Sequence, residues 1–369
     1  MRRLGWKFWL VVALIIGAMA VASLTSNDDA DLVLIREVSV RVEARCNVLR
    51  PRTDAVYGDL QDGEARQHYE QAAILLAPLA ARVSDFGALA GNWSEVPHDP
   101  ELSRLLQPAI AAMRAGAHCR LVSGPAPSVT SDVWSRATWL TCSSLLADGK
   151  DVEAVEVWLD ALVMFVDADV APDGVEPFTS HWTDERIASI SVPGRERLSQ
   201  GLSWLGDKVE QPIDWERSLE PMASMSCSVA LFSSNGWMGQ LMAWDCGFSP
   251  QRKGMKAFAT AFRALPVLSP VAEKWSDRWA QFDAFENAVR AVYDEAAWAG
   301  IMRYREVWRR RSLAHLRLLG AALTIHSGQV PGPVRDPLGD GFITVLERGD
   351  QWQLSAGRDV LMCKRTVEK

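Results

Sequence analysis

Few residues in this chain have the types and spacing that chemistry requires. His181, Asp184 and Glu185 stand three and four positions apart. A helix there would bring an imidazole and two carboxylates to one face, the makings of a general acid–base pair. A salt-bridge cluster at a helix start is the plainer account of the same spacing. Glu64 and His68 repeat the pattern in a weaker form. Glu95 and His98 have the Glu-x-x-His spacing of a di-iron ligand pair, but Pro97 lies between them and no second pair exists. The near carboxylates Glu153 with Glu156, and Asp294 with Glu295, are of the type a glycosidase uses. Such an enzyme needs them facing each other across a cleft, which spacing along the chain does not express. A nucleophile elbow, a phosphate-binding P-loop, a His-Glu-x-x-His zinc motif and a strand-linked Gly-x-Gly-x-x-Gly are all missing. Arg348-Gly349-Asp350 matches an adhesion tripeptide, and a glycine-centred hairpin turn explains it without a receptor.

The cysteines are Cys46, Cys119, Cys142, Cys227, Cys246 and Cys363, with no Cys-x-x-Cys among them. Neither a zinc ribbon nor a dithiol redox site is therefore encoded. Cys227 and Cys246 bracket the turn signal Ser233-Ser234-Asn235-Gly236 and are the candidate disulfide. Closing a loop of about 20 residues is worth roughly 3 kcal/mol on the chain-entropy model. Burial of each cysteine as a small hydrophobe is the alternative. No motif asks for a cofactor or a metal.

The compartment in which those thiols sit is set by Phe8–Leu24, FWLVVALIIGAMAVASL, which carries no charge. Its 17 residues span roughly 25 Å as a helix, slightly short of the ~30 Å hydrocarbon core. Trp6 and Trp9 suit the interface, and Lys7 can snorkel. Arg2, Arg3 and Lys7 precede the segment while Asp28, Asp29 and Asp31 follow it. The positive-inside bias keeps the N-terminus in the cytoplasm and exports residues 25–369. Small residues at Ala18-Met19-Ala20 and Ala20-Val21-Ala22 also fit a cleavable signal peptide, which would release the body as a secreted protein.

Without the three N-terminal basic residues, the exported part holds 36 of the 39 basic side chains against 46 acidic ones, a net charge of −10. That excludes nucleic acid or an anionic membrane surface as its main partner. Arg309-Arg310-Arg311 is the one basic run and reads as the solvated face of a helix. The 16 tryptophans outnumber the four tyrosines and are scattered as far as Trp352. That spread suits core plugs better than a sugar-binding platform.

The elements that must position these residues read as helices almost throughout. Residues 31–49 fit a helix continuing from the anchor, although Val38, Val40, Val42 and Ala44 alternate as a strand would, and Pro51 and Tyr57-Gly58-Asp59 break the chain. Ala65–Val83 is a helix interrupted by Pro78, and Leu102–Ala117 one that Pro108 kinks or starts. Ser131–Ala147 and Val152–Ala168 flank Ala147-Asp148-Gly149-Lys150 as an antiparallel hairpin similar to one tetratricopeptide unit; no second copy follows. Helices follow at Trp182–Ile190 and Gly194–Leu205. Pro212–Gly247 is less regular, and Gly247–Gly254 reads as loop. Val271–Ile325 is helical, broken at Gly300 or Gly320. After Pro331, Pro333 and Pro337, strands Phe342–Glu347 and Gln351–Ser355 form a hairpin that must pack on a helix.

Three stretches carry a resemblance: GDLQDGEARQHYEQAA, LLADGKDVEAVEVWLDAL and AALTIHSGQVPGPVRDPLGDGFITVLERGDQWQLSAGRDV. Together the chain resembles uncharacterised membrane-anchored helical proteins of environmental bacteria, of the myxobacterial and planctomycete type. The last stretch is also similar to the C-terminal part of type II secretion pseudopilins. It departs from them in keeping only Asp359 of their calcium-binding acidic loop and in lacking their N-terminal processing signal. The resemblance implies a bacterial inner-membrane anchor with the body in the periplasm, and no known activity. The expected fold is mainly α: one N-terminal transmembrane helix (residues 1–24), a body of packed, weakly tetratricopeptide-like helical hairpins (25–327), and a linker with a small C-terminal β-hairpin (328–369). The expected role is a non-enzymatic interaction or scaffold protein bound to the membrane through residues 8–24 and to other envelope proteins. An envelope hydrolase using scattered carboxylates and histidines, or an accessory part of a secretion machine, is the alternative.

Overall fold

The structure, a computed structural model, describes residues 54–89, 99–121, 131–167, 182–211, 250–268, 274–292, 300–348 and 351–364, with Leu34, Arg52 and Trp215 singly. The chain divides into a larger unit, Asn47–Gln211 with Arg305–Lys369, and a smaller one, Met1–Cys46 with Pro212–Tyr304. The described residues are mainly helical, with a small antiparallel sheet near the C-terminus.

In the larger unit, β1 (Gln61–Glu64) leads into α1 (Ala65–Leu76). Pro78 has no N–H to offer an α-helix, and the chain tightens into a 3-10 turn at Ala77–Leu79 before α2 (Ala80–Leu89). Pro108 neither starts nor ends the next helix. The helix α3 (Pro100–Ala117) begins two turns earlier, where Asp99 accepts a hydrogen bond from the Leu102 N–H at 2.9 Å and Pro100 fills the first position. The two-residue β2 (Cys119–Arg120) pairs in parallel with β1; so short a strand leaves no periodicity to read.

The expected helical hairpin is present as α4 (Ser131–Ala147) and α5 (Asp151–Asp167). Gly149, at φ 73°, lets Lys150 N–H reach back to Leu145 O at 2.8 Å and Gly149 N–H to Leu146 O at 3.1 Å, which closes α4. Nearly all of α5 is buried, because α3, α4 and α7 (Val192–Glu210) pack around it. Between them lies the short α6 (Asp184–Ser189). Two glycines permit close approach: a Cβ on Gly116 would stand 2.5 Å from the Tyr69 ring, and one on Gly201 would collide with the Leu159 methyls. Trp134, Trp139, Trp158 and Trp182 are fully buried core plugs.

The long α10 (Gly300–His326) starts at the anticipated glycine and stops at Ser327-Gly328, Gly328 having φ 77°. Gly320 lies within it. The basic run is a correction to the solvated face expected of it: Arg309 and Arg310 are buried. Both grip Glu306, one turn back, with Arg309 Nε at 2.8 Å and Arg310 Nε at 2.8 Å. Their outer nitrogens donate to Val209 O and Pro337 O, each at 3.1 Å. The i−3 and i−4 position of Glu306 is what takes two guanidiniums out of water.

The terminal hairpin is also larger than expected. Strands β3 (Thr344–Arg348), β4 (Gln351–Ala356) and β5 (Asp359–Lys364) form one antiparallel sheet. Gly357, at φ 56°, turns the chain so that Asp359 opens β5 opposite Ala356. Asp336 staples the approach, accepting from Leu338 N–H at 2.8 Å and Gly357 N–H at 2.9 Å. Leu354, Ala356 and Cys363 join the same core cluster as the helices, as a sheet of this size requires.

In the smaller unit, α8 (Pro250–Ala264) starts inside the stretch read as loop, because Pro250 opens a helix rather than breaking one. A 3-10 turn at Leu265–Val267 precedes α9 (Trp275–Arg290), which buries Phe282, Phe285 and Val289. Arg278 is buried too, donating to Leu268 O at 2.7 Å beside the Trp215 and Phe282 rings. No helix among the described residues is long and apolar enough to cross a membrane. Phe8–Leu24, residues 31–49 apart from Leu34, His181, Cys227 and Cys246 lie outside those residues, as do Glu95, His98, Asp294, Glu295 and Asp350.

Candidate functional site: an acidic stripe on α5

Glu153, Glu156, Asp160 and Asp167 follow one another at three, four and seven residues, so they share a narrow stripe of α5. The stripe runs from half-exposed Glu153 to Asp160 and Asp167, which are enclosed. Two buried carboxylates on a core helix need partners, since an unpaired buried charge is far costlier than a paired one.

Each receives one tyrosine and one arginine. Tyr57 O–H donates to Asp160 Oδ2 at 2.7 Å, and Arg114 Nε, from the end of α3, donates to the same oxygen at 3.0 Å. Seven residues on, Tyr69 O–H donates to Asp167 Oδ2 at 2.7 Å, and Arg52 Nε lies 2.9 and 3.0 Å from its two oxygens. Arg52 is spent further: its other nitrogens donate to Asp54 O, Gly116 O and Cys119 O at 3.0–3.1 Å. Its guanidinium thus caps the carbonyl end of α3 as well.

Toward solvent the first set widens. Arg114 also reaches Glu156 at 3.1 Å and Glu153 at 3.7 Å. Arg197 of α7 approaches Glu156 at 3.3 Å and stacks over the Tyr57 ring at 4.6 Å. The His118 ring meets Tyr57 edge-on at 4.7 Å, its Nε2 lying 3.2 Å from Asp160 Oδ1. That oxygen is buried without a hydrogen bond. Burial, and then the negative Asp160, push the Tyr57 phenol well above its ordinary range. Asp160 and Tyr57 keep Arg114 charged against the opposing effect of burial. At Asp167 burial outweighs Arg52 and Tyr69, and its carboxyl lies above the usual range. Both tyrosines are therefore neutral donors and both arginines fixed cations. The arrangement holds segments together and leaves Asp160 Oδ1, beside His118, without a hydrogen bond.

Of the residues expected to form an acid–base pair, Asp184 and Glu185 are described and His181 is not. Asp184 opens α6 and its Oδ1 lies 2.8 Å from Nε2 of His326, the last residue of α10. Cys363 of β5 hydrogen-bonds to the same carboxylate; burial first, and then Asp184, push its thiol up to about 12. Glu185 is exposed. Cys119, Cys142 and Cys363 are free and buried, and no group of three or more ligand side chains among the described residues is placed for a metal ion. Of the carboxylate pairs considered, Glu153 and Glu156 meet, at Arg114. Tyr57, Arg114, His118 and Arg197 carry no motif; the acidic stripe on an otherwise apolar helix is the signal that points to them. Comparison of the chain with family models, curated proteins and solved structures finds no match.

Proposed function

We propose that this is a cell-envelope protein, anchored in a bacterial inner membrane through Phe8–Leu24, whose periplasmic helical body binds other envelope proteins and performs no chemistry of its own. The observation that carries the reading is the fate of the acids on α5. Asp160 and Asp167, the side chains best buried to act as an acid or a base, are each held by a tyrosine and an arginine of their own. The buried cysteines support it in the same sense, since a protonated thiol is no nucleophile. A body built of helical hairpins, one of them tetratricopeptide-like in sequence, is suited to presenting surfaces to protein partners.

The test uses the tagged full-length chain in its native membrane fraction. Chemical cross-linking and mass spectrometry should join the body to a defined envelope protein, and protease added to spheroplasts should digest the body while sparing the N-terminus. Purified chain that cleaves a wall polymer and cross-links to nothing would instead make it an envelope hydrolase. A body protected in spheroplasts would overturn the location.

A further inference from the structure

One acceptor in the acidic stripe is left over. Tyr57 and Arg114 both donate to Oδ2 of Asp160, and Oδ1 of the same carboxylate is enclosed without a hydrogen bond. A buried carboxylate oxygen that lacks a donor is costly. Nε2 of His118 stands 3.2 Å from it. A neutral imidazole leaves that oxygen bare when its one proton sits on Nδ1, whereas an imidazolium carries a proton on each nitrogen. His118 is also where several segments meet. It directly follows α3, where its N–H bonds to Arg114 O at 3.2 Å and Ala115 O at 3.3 Å. Its own O accepts from the Gln61 N–H of β1 at 2.7 Å, and its ring lies edge-on to Tyr57. A cation here stands at the carbonyl end of a helix, where the dipole favours it.

The charges around the ring give the sign. Asp160, Glu156 and Glu153 come from α5; against them stand Arg114, in the last turn of α3, and Arg197 of α7, over the Tyr57 ring. Arg52 reaches Gly116 O and Cys119 O on either side of His118, and Asp167 matches its charge. On β1, Asp62 acts on the neighbouring Cys119. Among the described residues, then, a neutral ring leaves three carboxylates facing two guanidiniums, with one negative charge over. A proton on His118 brings the set to balance. We propose that His118 is a pH-operated latch: in acid its imidazolium donates to Asp160 Oδ1 and ties the end of α3, and β1 with it, to α5. The tie is present in acid and is lost as pH rises through the range, about pH 5 to 8, in which an imidazole gives up its proton. The proposal needs only this cluster and is independent of the envelope assignment.

Hydrogen–deuterium exchange of the purified full-length chain in mild detergent, read by mass spectrometry at pH 5.5 and 7.5 and corrected for the intrinsic pH dependence of amide exchange, tests this. Amides of β1 and of the last turns of α3 should be protected roughly threefold more, or better, at the lower pH. His118→Gln should match the parent at pH 7.5 and lose the gain at pH 5.5. Asp167, which also favours the folded state in acid, is common to both proteins and drops out of the comparison. His315→Gln, on α10, should keep the gain. The proposal is overturned by a parent that gains nothing in acid or by a gain that survives in His118→Gln. It is overturned equally by a His118→Gln chain already loosened at pH 7.5, since the neutral ring would then be holding the joint, or by a His315→Gln chain that loses the gain.

Discussion

Arg52 and Asp167 meet side by side, the arginine Nε 2.9 and 3.0 Å from the two carboxylate oxygens, across 115 positions of sequence. The contact ties the segment before β1 to the last residue of α5, and both side chains are almost wholly enclosed. Removing one partner strands the other. Arg52→Met should lower the unfolding free energy by about 3–5 kcal/mol. Adding Asp167→Asn to it should restore part of that loss, because the stranded charge is then gone. Urea unfolding of the three proteins decides, and a double variant no more stable than Arg52→Met would refute the account.

Asp167 also gives stability a pH dependence of definite sign. Burial raises its carboxyl above the ordinary range despite Arg52 and Tyr69. The folded state therefore holds this proton more firmly than the unfolded chain. Its contribution is fully present below the unfolded carboxylate pKa, about 3.9, and is lost as pH rises through the raised folded value. Asp54 acts oppositely: Lys208 and Trp204 overcome its burial and lower its carboxyl, so its contribution falls away in acid. That pair is largely exposed and counts for little. Subtracting the urea midpoints of Asp167→Asn from those of the parent between pH 3.5 and 7 should leave a difference that shifts against the parent as pH rises. A flat difference would remove Asp167 from the explanation.

The same substitution should have opposite effects at two helical glycines. At Gly116 an added methyl meets the Tyr69 ring at 2.5 and 2.6 Å, and overpacking of this kind costs about 1–3 kcal/mol. It would also press on the phenol that donates to Asp167. At Gly320 the methyl meets nothing, and alanine should gain up to about 1 kcal/mol. Thermal unfolding of Gly116→Ala and Gly320→Ala should move in opposite directions.

The buried thiols should be silent in the folded protein. Burial raises Cys119, Cys142 and Cys363, the last to about 12. In a variant with Cys46, Cys227 and Cys246 changed to serine, a maleimide at pH 7.5 should label only after urea is added. Rapid labelling of the native chain would mean that one of these thiols is reachable and ionisable.

Local structure was readable from local signals. Pro78 between two alanine-rich runs, Asp148-Gly149-Lys150 after Leu145-Leu146, and Ser327-Gly328 after Ile325-His326 each act within a few residues, and each ends the element it was expected to end. Pro250 misled for a related reason. A proline marks the first turn of a helix as readily as a break, and at Pro100 the preceding cap, Asp99, is what marks the start. The site was not readable because its pairings are long-range. Tyr57 finds Asp160 across 103 positions and Tyr69 finds Asp167 across 98. Tyr57-Gly58-Asp59 reads as a chain break, and nothing near it announces a donor for a distant helix. The basic run was misjudged on similar grounds, since three adjacent arginines look solvated until Glu306 and the carbonyls of Val209 and Pro337 are brought to them.

Arg309 has one more consequence. By donating to Val209 O and Glu210 O it joins the two points at which the chain leaves the larger unit, near Gln211, and returns to it at Arg305. Arg317, which holds Glu210 at 3.0 Å, ties the same two segments. Closing a longer excursion costs only logarithmically more entropy, so lengthening it should cost the larger unit little stability. Both ends of the Pro212–Tyr304 excursion are in that sense held by side chains of the larger unit itself.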